Sequence, residues 1–489
     1  MRFPVFADLD TDQKKVFSES PTDGSILIVG PPGSGKTVIA MHRAMRLADS
    51  GDKVVITMYN NTLRQYTANF EDLPPSVRII NLHQWVQDWY KSGFDRSPPK
   101  DYSASGRFKP YDWKQIHLDI KDANESTLSR LNWGHLIIDE GQDFSCPMYK
   151  ALTLLIRKIN TNKPSLTVFA DENQAIHVQN CSVGDMMEAL NTSIDESRLW
   201  RINKNYRNTL EIAKFSKHFQ MLGLRATSIP DRPGLSPKIV FHKDIDSQID
   251  QIMKYAKAQP NKEILVVTQG DTRFMYGVYQ KLKKREHETG YLVQGYSGTG
   301  SLNLPADSLR FDNGDTLTVM HFQSIKGLEF DTVFVIYQEL WFDIDNIGPT
   351  YKKLYVTSSR ARENLFFLVL NDEINKDPIR ILPSPNREIC DYIQPPSDNA
   401  ITNIQWFPTA EDYVSDEYGE LAEKLALENK DKIIEIFEYL YKRTFEKEDS
   451  STVLKEKIYE SNDLPSTILD LIIECGDVDV QNIIQTRYG

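Results

Sequence analysis

Short, continuous apolar runs recur along this chain with helix-length stretches between them. They fall at Ile26 to Val29, Val54 to Ile56, Leu136 to Ile138, Leu166 to Ala170, Ile264 to Val267, Val333 to Ile336, Leu354 to Val356 and Leu365 to Leu370. Unbroken rather than alternating apolarity predicts strands covered on both faces, as in parallel sheets flanked by helices. Two α/β domains follow from the two series of runs. Val38, Met41 and Met45 recur at helical spacing and predict the first crossover helix. Residues 86–130 break the rhythm with Pro98-Pro99, Gly106 and many aromatic rings, which predicts a small insertion in the first domain. Residues 291–315 read as a loop on their Gly295, Gly298, Gly300 and Pro305. The pattern predicts a first domain over 1–198, a second over 199–380, a linker over 381–410 and a helical region over 411–489, where Leu421 to Leu427, Ile433 to Leu440 and Ile468 to Ile473 repeat at helical spacing.

Composition narrows the class. The chain has 489 residues, 40% hydrophobic and 26% charged, a mean hydropathy of -0.45 and no apolar run long enough for a membrane span. Asp8, Asp10 and Asp12 follow the N-terminus without an apolar leader core, so the cytoplasm is the expected compartment. Cys146, Cys181, Cys390 and Cys475 form no C-x-x-C pair, and reduced thiols are expected at all four. The net charge of -12 is uneven: residues 401–489 hold 20 acidic against 9 basic side chains, and residues 1–400 hold 49 against 48. Most of the chain is therefore free to carry a local basic groove.

Gly30-Pro31-Pro32-Gly33-Ser34-Gly35-Lys36-Thr37 is a G-x-x-x-x-G-K-[ST] match between a predicted strand and a predicted helix. Gly30, Gly33, Ser34 and Gly35 let backbone N–H groups converge on phosphate oxygens, Lys36 reaches the β- and γ-phosphates, and the Thr37 hydroxyl ligates Mg²⁺. Downstream, the Leu136 to Ile138 run delivers Asp139-Glu140-Gly141-Gln142-Asp143 to a strand end, the side on which open α/β sheets bind ligands. Asp139 suits a metal shared with Thr37, and Glu140 suits the orientation and deprotonation of an attacking water.

With these two motifs in place, the chain resembles the UvrD/Rep-like superfamily 1 helicases over roughly residues 9–370. Leu9 to Gln13 resembles the adenine-reading element, with Gln13 at the base. Asp139 to Asp143 resembles a D-E-A-Q-D box with glycine in place of alanine, and Val168 to Ile176 a G-D-x-x-Q-S-I element in which Gln174 links γ-phosphate to nucleic acid. Asn205-Tyr206-Arg207 matches N-Y-R, which implies Tyr206 stacking on adenine and Arg207 as a guanidinium finger. His321 to Phe330 is close to H-x-x-K-G-L-E-F, implying Glu329 at the ribose and His321 near the strand. Leu354 to Ala361 resembles L-Y-V-A-x-T-R-A, with Arg360 as the second finger. The resemblance implies two RecA-like P-loop domains that close on ATP and Mg²⁺, with the small insertion in the first and the acidic helical region behind the second.

For the nucleic-acid face the family pattern points to Tyr59 and Asn60 after the second strand, His83 in Asn81 to Trp85, and His177 where an aromatic ring is usual. The aromatic residues of 86–130 serve either as the core of a small subdomain or as a stacking surface. The implied activity is an ATP-dependent translocase or helicase on single-stranded nucleic acid, DNA in the 3′ to 5′ sense. With little room for a large second-domain insertion, it is expected to translocate well and unwind poorly. The alternative is a nucleic-acid-gated ATPase switch within a larger DNA-repair or phage-defence complex. For the acidic C-terminal region, a stabilising helical face, a docking module for a protein partner and an autoinhibitory strand mimic all stay open.

Overall fold

A computed structural model describes residues 6–58, 74–103, 109–171, 181, 183–192, 196–220, 230–270, 272–297, 304, 309–311, 314–338, 347–374, 376–397, 400–402, 404–406, 430–434, 437, 454, 458–459, 468 and 471. Its first sheet comprises β1 (Ser25–Val29), β2 (Val54–Met58), β3 (Val77–Asn81), β4 (His135–Ile138), β5 (Ser165–Ala170) and β6 (Leu199–Arg201), in the order β3-β2-β4-β5-β1-β6. Every pairing is parallel, so each strand is followed by a crossover before its neighbour forms. β4 and β5 are buried along their whole length, as their unbroken apolar runs require. The helix Lys36–Asp49 buries Ile39, Met41, Ala44 and Leu47 against this sheet, a stripe one position away from the predicted Val38 and Met45.

The second sheet holds β7 (Lys238–His242), β8 (Glu263–Thr268), β9 (Leu292–Tyr296), β10 (Thr316–His321), β11 (Phe330–Tyr337), β12 (Ala361–Leu370) and β13 (Asp391–Ile393), in the order β13-β7-β12-β11-β8-β10-β9. It too is parallel throughout. Two RecA-like α/β domains account for both sheets.

Four expectations need correction. Leu354 to Val356 is not a strand; it lies in the helix Ile347–Ser358, where all three side chains are buried, and a short apolar run does not by itself tell a buried helix turn from a buried strand. The segment read as a loop over 291–315 contains β9, whose glycine, Gly295, sits under the Tyr279 ring rather than in a turn. The segment read as a linker supplies β13, which pairs with β7 through Asp391–Lys238, Tyr392–Ile239 and Ile393–Val240. Finally β6, placed in the second domain by the sequence, joins β1 in the first sheet, so the first domain runs past residue 198.

The insertion resolves its own question. Trp85 and Trp89 stack with ring centroids 5.1 Å apart, and Trp133 meets each edge-on at 6.0 Å. The Trp89 indole donates to the Leu131 carbonyl at 2.8 Å. Trp89, Tyr90 and Tyr111 are buried and Phe94 and Trp113 lean on the same cluster, so these rings form a small core. Tyr102 is exposed, and Phe108 lies outside the described residues. In the acidic region the described residues are helical, with Ile433, Ile434, Phe437, Leu454, Ile458, Ile468 and Leu471 buried. Among the described residues no helix is long and apolar enough to cross a membrane.

Candidate nucleotide site at the domain interface

The P-loop follows β1 and runs into the helix Lys36–Asp49. Gly35 takes the N-cap position with φ of 83° and no side-chain cap, so the first N–H groups of that helix are free for an anion. A side chain at Gly35 would be strained by that φ, and its Cβ would meet the Gln13 amide at 2.3 Å. The Lys36 ammonium donates to the carbonyls of Gly30 at 2.7 Å and Pro31 at 2.9 Å, and lies 3.4 Å from Asp171. Ser34 Oγ is buried without a hydrogen-bond partner, an orphan that a phosphate oxygen would satisfy.

Two carboxylates face the loop from the end of β4. The Thr37 hydroxyl donates to Asp139 Oδ2 at 2.7 Å, which sets two hard oxygen donors side by side, the donor set that suits Mg²⁺. Burial, and then the charge of Glu140 beside it, push Asp139 up to about 6. Glu140 goes the other way. Its burial would raise its pKa, but Lys326, Lys36, the Gln142 amide and Arg360 together hold it below the ordinary carboxylate value. Its backbone sits at φ 54°, a left-handed conformation that non-glycine residues rarely adopt and that clusters at functional sites. Gln142 donates to Glu140 Oε2 at 2.5 Å and accepts from the Asp171 N–H at 2.9 Å, joining the ends of β4 and β5.

The departure from alanine at position 141 has a steric cause. A Cβ on Gly141 would come within 2.4 Å of Val168 Cγ1 and 2.9 Å of the Tyr149 hydroxyl, which itself donates to the Gly141 carbonyl at 2.6 Å. Gly141→Ala is therefore expected to destabilise the protein by about 1–3 kcal/mol through overpacking, because β-branched Val168 cannot swing away. A fall in melting temperature checks it, and Gly141→Ala with Val168→Ala should recover part of the loss.

The chain crosses to the second domain through Asn205 to Asn208. The Tyr206 N–H donates to the Gly33 carbonyl at 2.9 Å, and its hydroxyl donates to Asp10, which caps the helix Thr11–Glu19 together with Gln13. Gln13 in turn donates to the Ser34 carbonyl at 3.0 Å, so the two predicted adenine-side residues meet beside the P-loop. Arg207 follows. A Cβ on Gly33 would touch its Cβ at 2.6 Å, and its Nε pairs with Glu329 Oε2 at 2.5 Å. Asn208 donates to the carbonyls of Ser359 at 3.2 Å and Ala361 at 2.5 Å.

Arg360 is buried, donating to the carbonyls of Val356 at 2.9 Å and Leu328 at 3.3 Å and to Ser359 Oγ at 3.0 Å. Burial, and then the neighbouring Arg207, push it down to about 9, against the pull of Glu140, Asp171 and Glu329. The structure thus brings Gln13, Gly30, Gly33, Ser34, Gly35, Lys36, Thr37, Asp139, Glu140, Tyr206, Arg207, Glu329 and Arg360 to one interface. Arg207 and Glu329 are engaged with each other there rather than free for phosphate and ribose.

Sequence reasoning passed over one ion pair across the interface. Lys326 pairs with Asp143 at 2.5 Å, both side chains buried, and Asp143 Oδ2 keeps no further partner. Burial pushes Asp143 up to about 6 in spite of that lysine. Both residues sit inside recognised motifs, so the signal was membership of the motif. Asp171 and Gln142 were missed in the same way.

The nucleic-acid candidates are more scattered. Tyr59, Asn60 and His177, with Gln174 of the catalytic set, lie outside the described residues. His83 is exposed at the start of the helix Leu82–Phe94, its N–H held by the Asn81 side chain at 2.9 Å, on the first domain. His321 ends β10 on the second domain, its ring 3.1 Å from the Gly270 carbonyl. Loss of surrounding water to neighbouring protein atoms lowers the pKa of both, helped at His83 by Lys100. One further expectation fails: Cys146 and Cys181 are joined in a disulfide, with Cα atoms 5.0 Å apart. The crossover between β4 and the helix Val183–Leu190 closes a 35-residue gap that spacing alone could not reveal.

Comparison with known proteins finds a family likeness in the N-terminal part of the chain. Residues 13–180 match the profile of the family described as "AAA domain". A protein of Acanthamoeba polyphaga mimivirus named as an ATP-dependent DNA helicase is 24% identical over 251 residues, 47% of this chain and 34% of the relative. One of Mycoplasma pneumoniae named as a DNA helicase is 22% identical over 253 residues, 49% of this chain and 44% of the relative. The chain thus matches less than half the length of either relative. The crystal structure of Pif1 helicase from Candida albicans aligns with 78% of this chain and 98% of its own at 13% identity, with a TM-score of 0.38. Residues 13–180 are thus similar to the AAA domain family, ahead of a second RecA-like domain, and about half of the chain is similar to proteins named as DNA helicases.

Proposed function

We propose that this chain is an ATP-dependent motor on single-stranded nucleic acid, DNA in the 3′ to 5′ sense, of the UvrD/Rep-like branch. The observation that carries the reading is the interface itself: Lys36, Thr37, Asp139 and Glu140 come from one domain, and Arg360 and Glu329 from the other. Arg207, on the segment joining the two, stands between them. Such a division makes transition-state charge neutralisation depend on domain closure.

In the reaction, the P-loop N–H groups and Lys36 bind the β- and γ-phosphates of ATP. Thr37 and Asp139 would hold Mg²⁺, which supplies charge neutralisation at the phosphate oxygens. Glu140, anionic because four donors and cations outweigh its burial, orients a water and accepts its proton. Arg207 leaves Glu329 for the γ-phosphate, and Arg360 adds its charge from the second domain. Opening and closing of the interface then moves a strand lying across both sheets. His83 and His321, with Tyr59, Asn60 and His177, are the candidate contacts to that strand. Gln174 is proposed to carry the signal from the γ-phosphate.

The test is ATPase rate with single-stranded DNA, RNA, duplex or nothing added at fixed salt, paired with displacement of streptavidin from either strand end. Strong stimulation by single-stranded DNA with displacement from the 5′ end is expected. Stimulated hydrolysis without displacement would favour the switch, and an unstimulated rate would sink both readings.

A further inference from the structure

The disulfide closes the turn that leaves Asp143. Cys146 is the first residue of the helix Cys146–Lys158, three positions after Asp143, and Cys181 ends the stretch that starts at Asp171. Main chain holds the two together as well as sulfur, since the Cys181 N–H donates to the Phe144 carbonyl at 3.1 Å. Their environments differ. Cys181 is fully buried, whereas Cys146 is half-buried on the opening turn of a 13-residue helix whose N-cap, Ser145, makes no side-chain cap. An oxidant in solution therefore reaches the Cys146 sulfur before that of Cys181. Cys390 supplies the contrast: burial, then Asp391, push its thiol up to about 12, and it donates only to the Pro383 carbonyl.

We propose that Cys146 and Cys181 form a reversible oxidation site, with Cys146 the attacking thiol, Cys181 the resolving thiol and a peroxide the oxidant. The Cys146 thiolate attacks one peroxide oxygen; the O–O bond breaks, leaving a sulfenic acid, and the departing oxygen takes up a proton as water. The Cys181 sulfur then attacks that sulfenic sulfur, the S–S bond forms, and the hydroxyl leaves with the Cys181 proton as a second water. Two thiols give up two electrons, and one hydrogen peroxide becomes two waters. A thiol reductant reverses the bond by exchange.

The bond would fasten the turn that follows Glu140 and Asp143 to Cys181, ahead of the helix Val183–Leu190, and Gln142 already ties that turn to Asp171. Those three acids face Lys36, Lys326 and Arg360, so stapling them opposes the rearrangement each nucleotide cycle demands. Oxidation is therefore expected to slow strand-stimulated hydrolysis. This last consequence rests on the proposed ATPase; the bond itself does not.

The experiment takes the full chain, reduces it, removes the reductant and adds hydrogen peroxide, with peptide mapping under non-reducing conditions. A peptide pair linked through Cys146 and Cys181 is expected, with Cys390 still open to alkylation after unfolding. Cys181→Ser should accumulate a sulfenic acid at Cys146 that dimedone traps, and Cys146→Ser should accumulate none at Cys181. Melting temperatures show whether each variant is folded, and Cys146→Ala repeats the measurement if the serine is not tolerated. No linked peptide, or dimedone capture first at Cys181, overturns the site. Wild-type ATPase should fall severalfold on oxidation and recover with dithiothreitol, while Cys146→Ser stays unchanged; equal rates in both states overturn the regulatory consequence. If neither state hydrolyses ATP, the peptide map still decides the site, and it is the motor reading that fails.

Discussion

Arg207→Ala is expected to lower strand-stimulated kcat by about 10³-fold or more, the range for a guanidinium that meets transition-state charge. The Michaelis constant for ATP should change far less. Arg207 stands at the carbonyl side of Gly33 and holds Glu329 at 2.5 Å, which keeps its fork at the site without committing it to phosphate. Removing it leaves Glu329 near Arg362, 3.7 Å away, so no buried carboxylate is stranded and the fold should survive. Lysine should not rescue, because a point charge cannot serve phosphate and carboxylate in the planar, two-pronged way a guanidinium does. Steady-state kinetics with saturating single strand give the answer. A loss confined to the Michaelis constant would make Arg207 a ground-state contact only.

Glu140→Gln comes next, with an expected loss of about 10²–10⁴-fold in the hydrolytic step while nucleotide binding is kept, as for removal of a general base. Glutamine preserves shape and can still meet the Gln142 side chain, but it cannot take a proton. Its neutrality also relieves Asp139, whose elevated pKa owes part of its rise to the Glu140 charge. Asp139 should therefore ionise more readily in the variant, so retention of nucleotide with Mg²⁺ should hold or tighten. Single-turnover hydrolysis beside a nucleotide-binding titration separates the two effects. A loss below tenfold would mean that another group accepts the proton.

The parts legible from sequence are those where chemistry dictates both residue and spacing. A phosphate cradle needs Gly33, Gly35, Lys36 and Thr37 in that order, and a strand must deliver Asp139 to them, so the Thr37–Asp139 contact could be anticipated. Contacts across long separations could not. Lys326 and Asp143 are 183 positions apart, and nothing in either motif names the other as partner. Cys146 and Cys181 show the same limit at shorter range, their meeting fixed by the order of β4 and β5 in the sheet. Element type failed at Leu354 to Val356, since a short buried run within a helix and a buried strand share one pattern. The edge strands β6, β9 and β13 were missed because short or glycine-bearing runs carry little period to read.

β13 lies at the margin of the second sheet, and its pairing with β7 joins residues far apart in the chain. During synthesis β7 leaves the ribosome long before Asp391 does, and in that interval its outer row of amides and carbonyls is bare. A nascent or shortened polypeptide ending ahead of that point would present a ready template for another molecule's strand, and clumping rather than simple loss of activity is the outcome to anticipate.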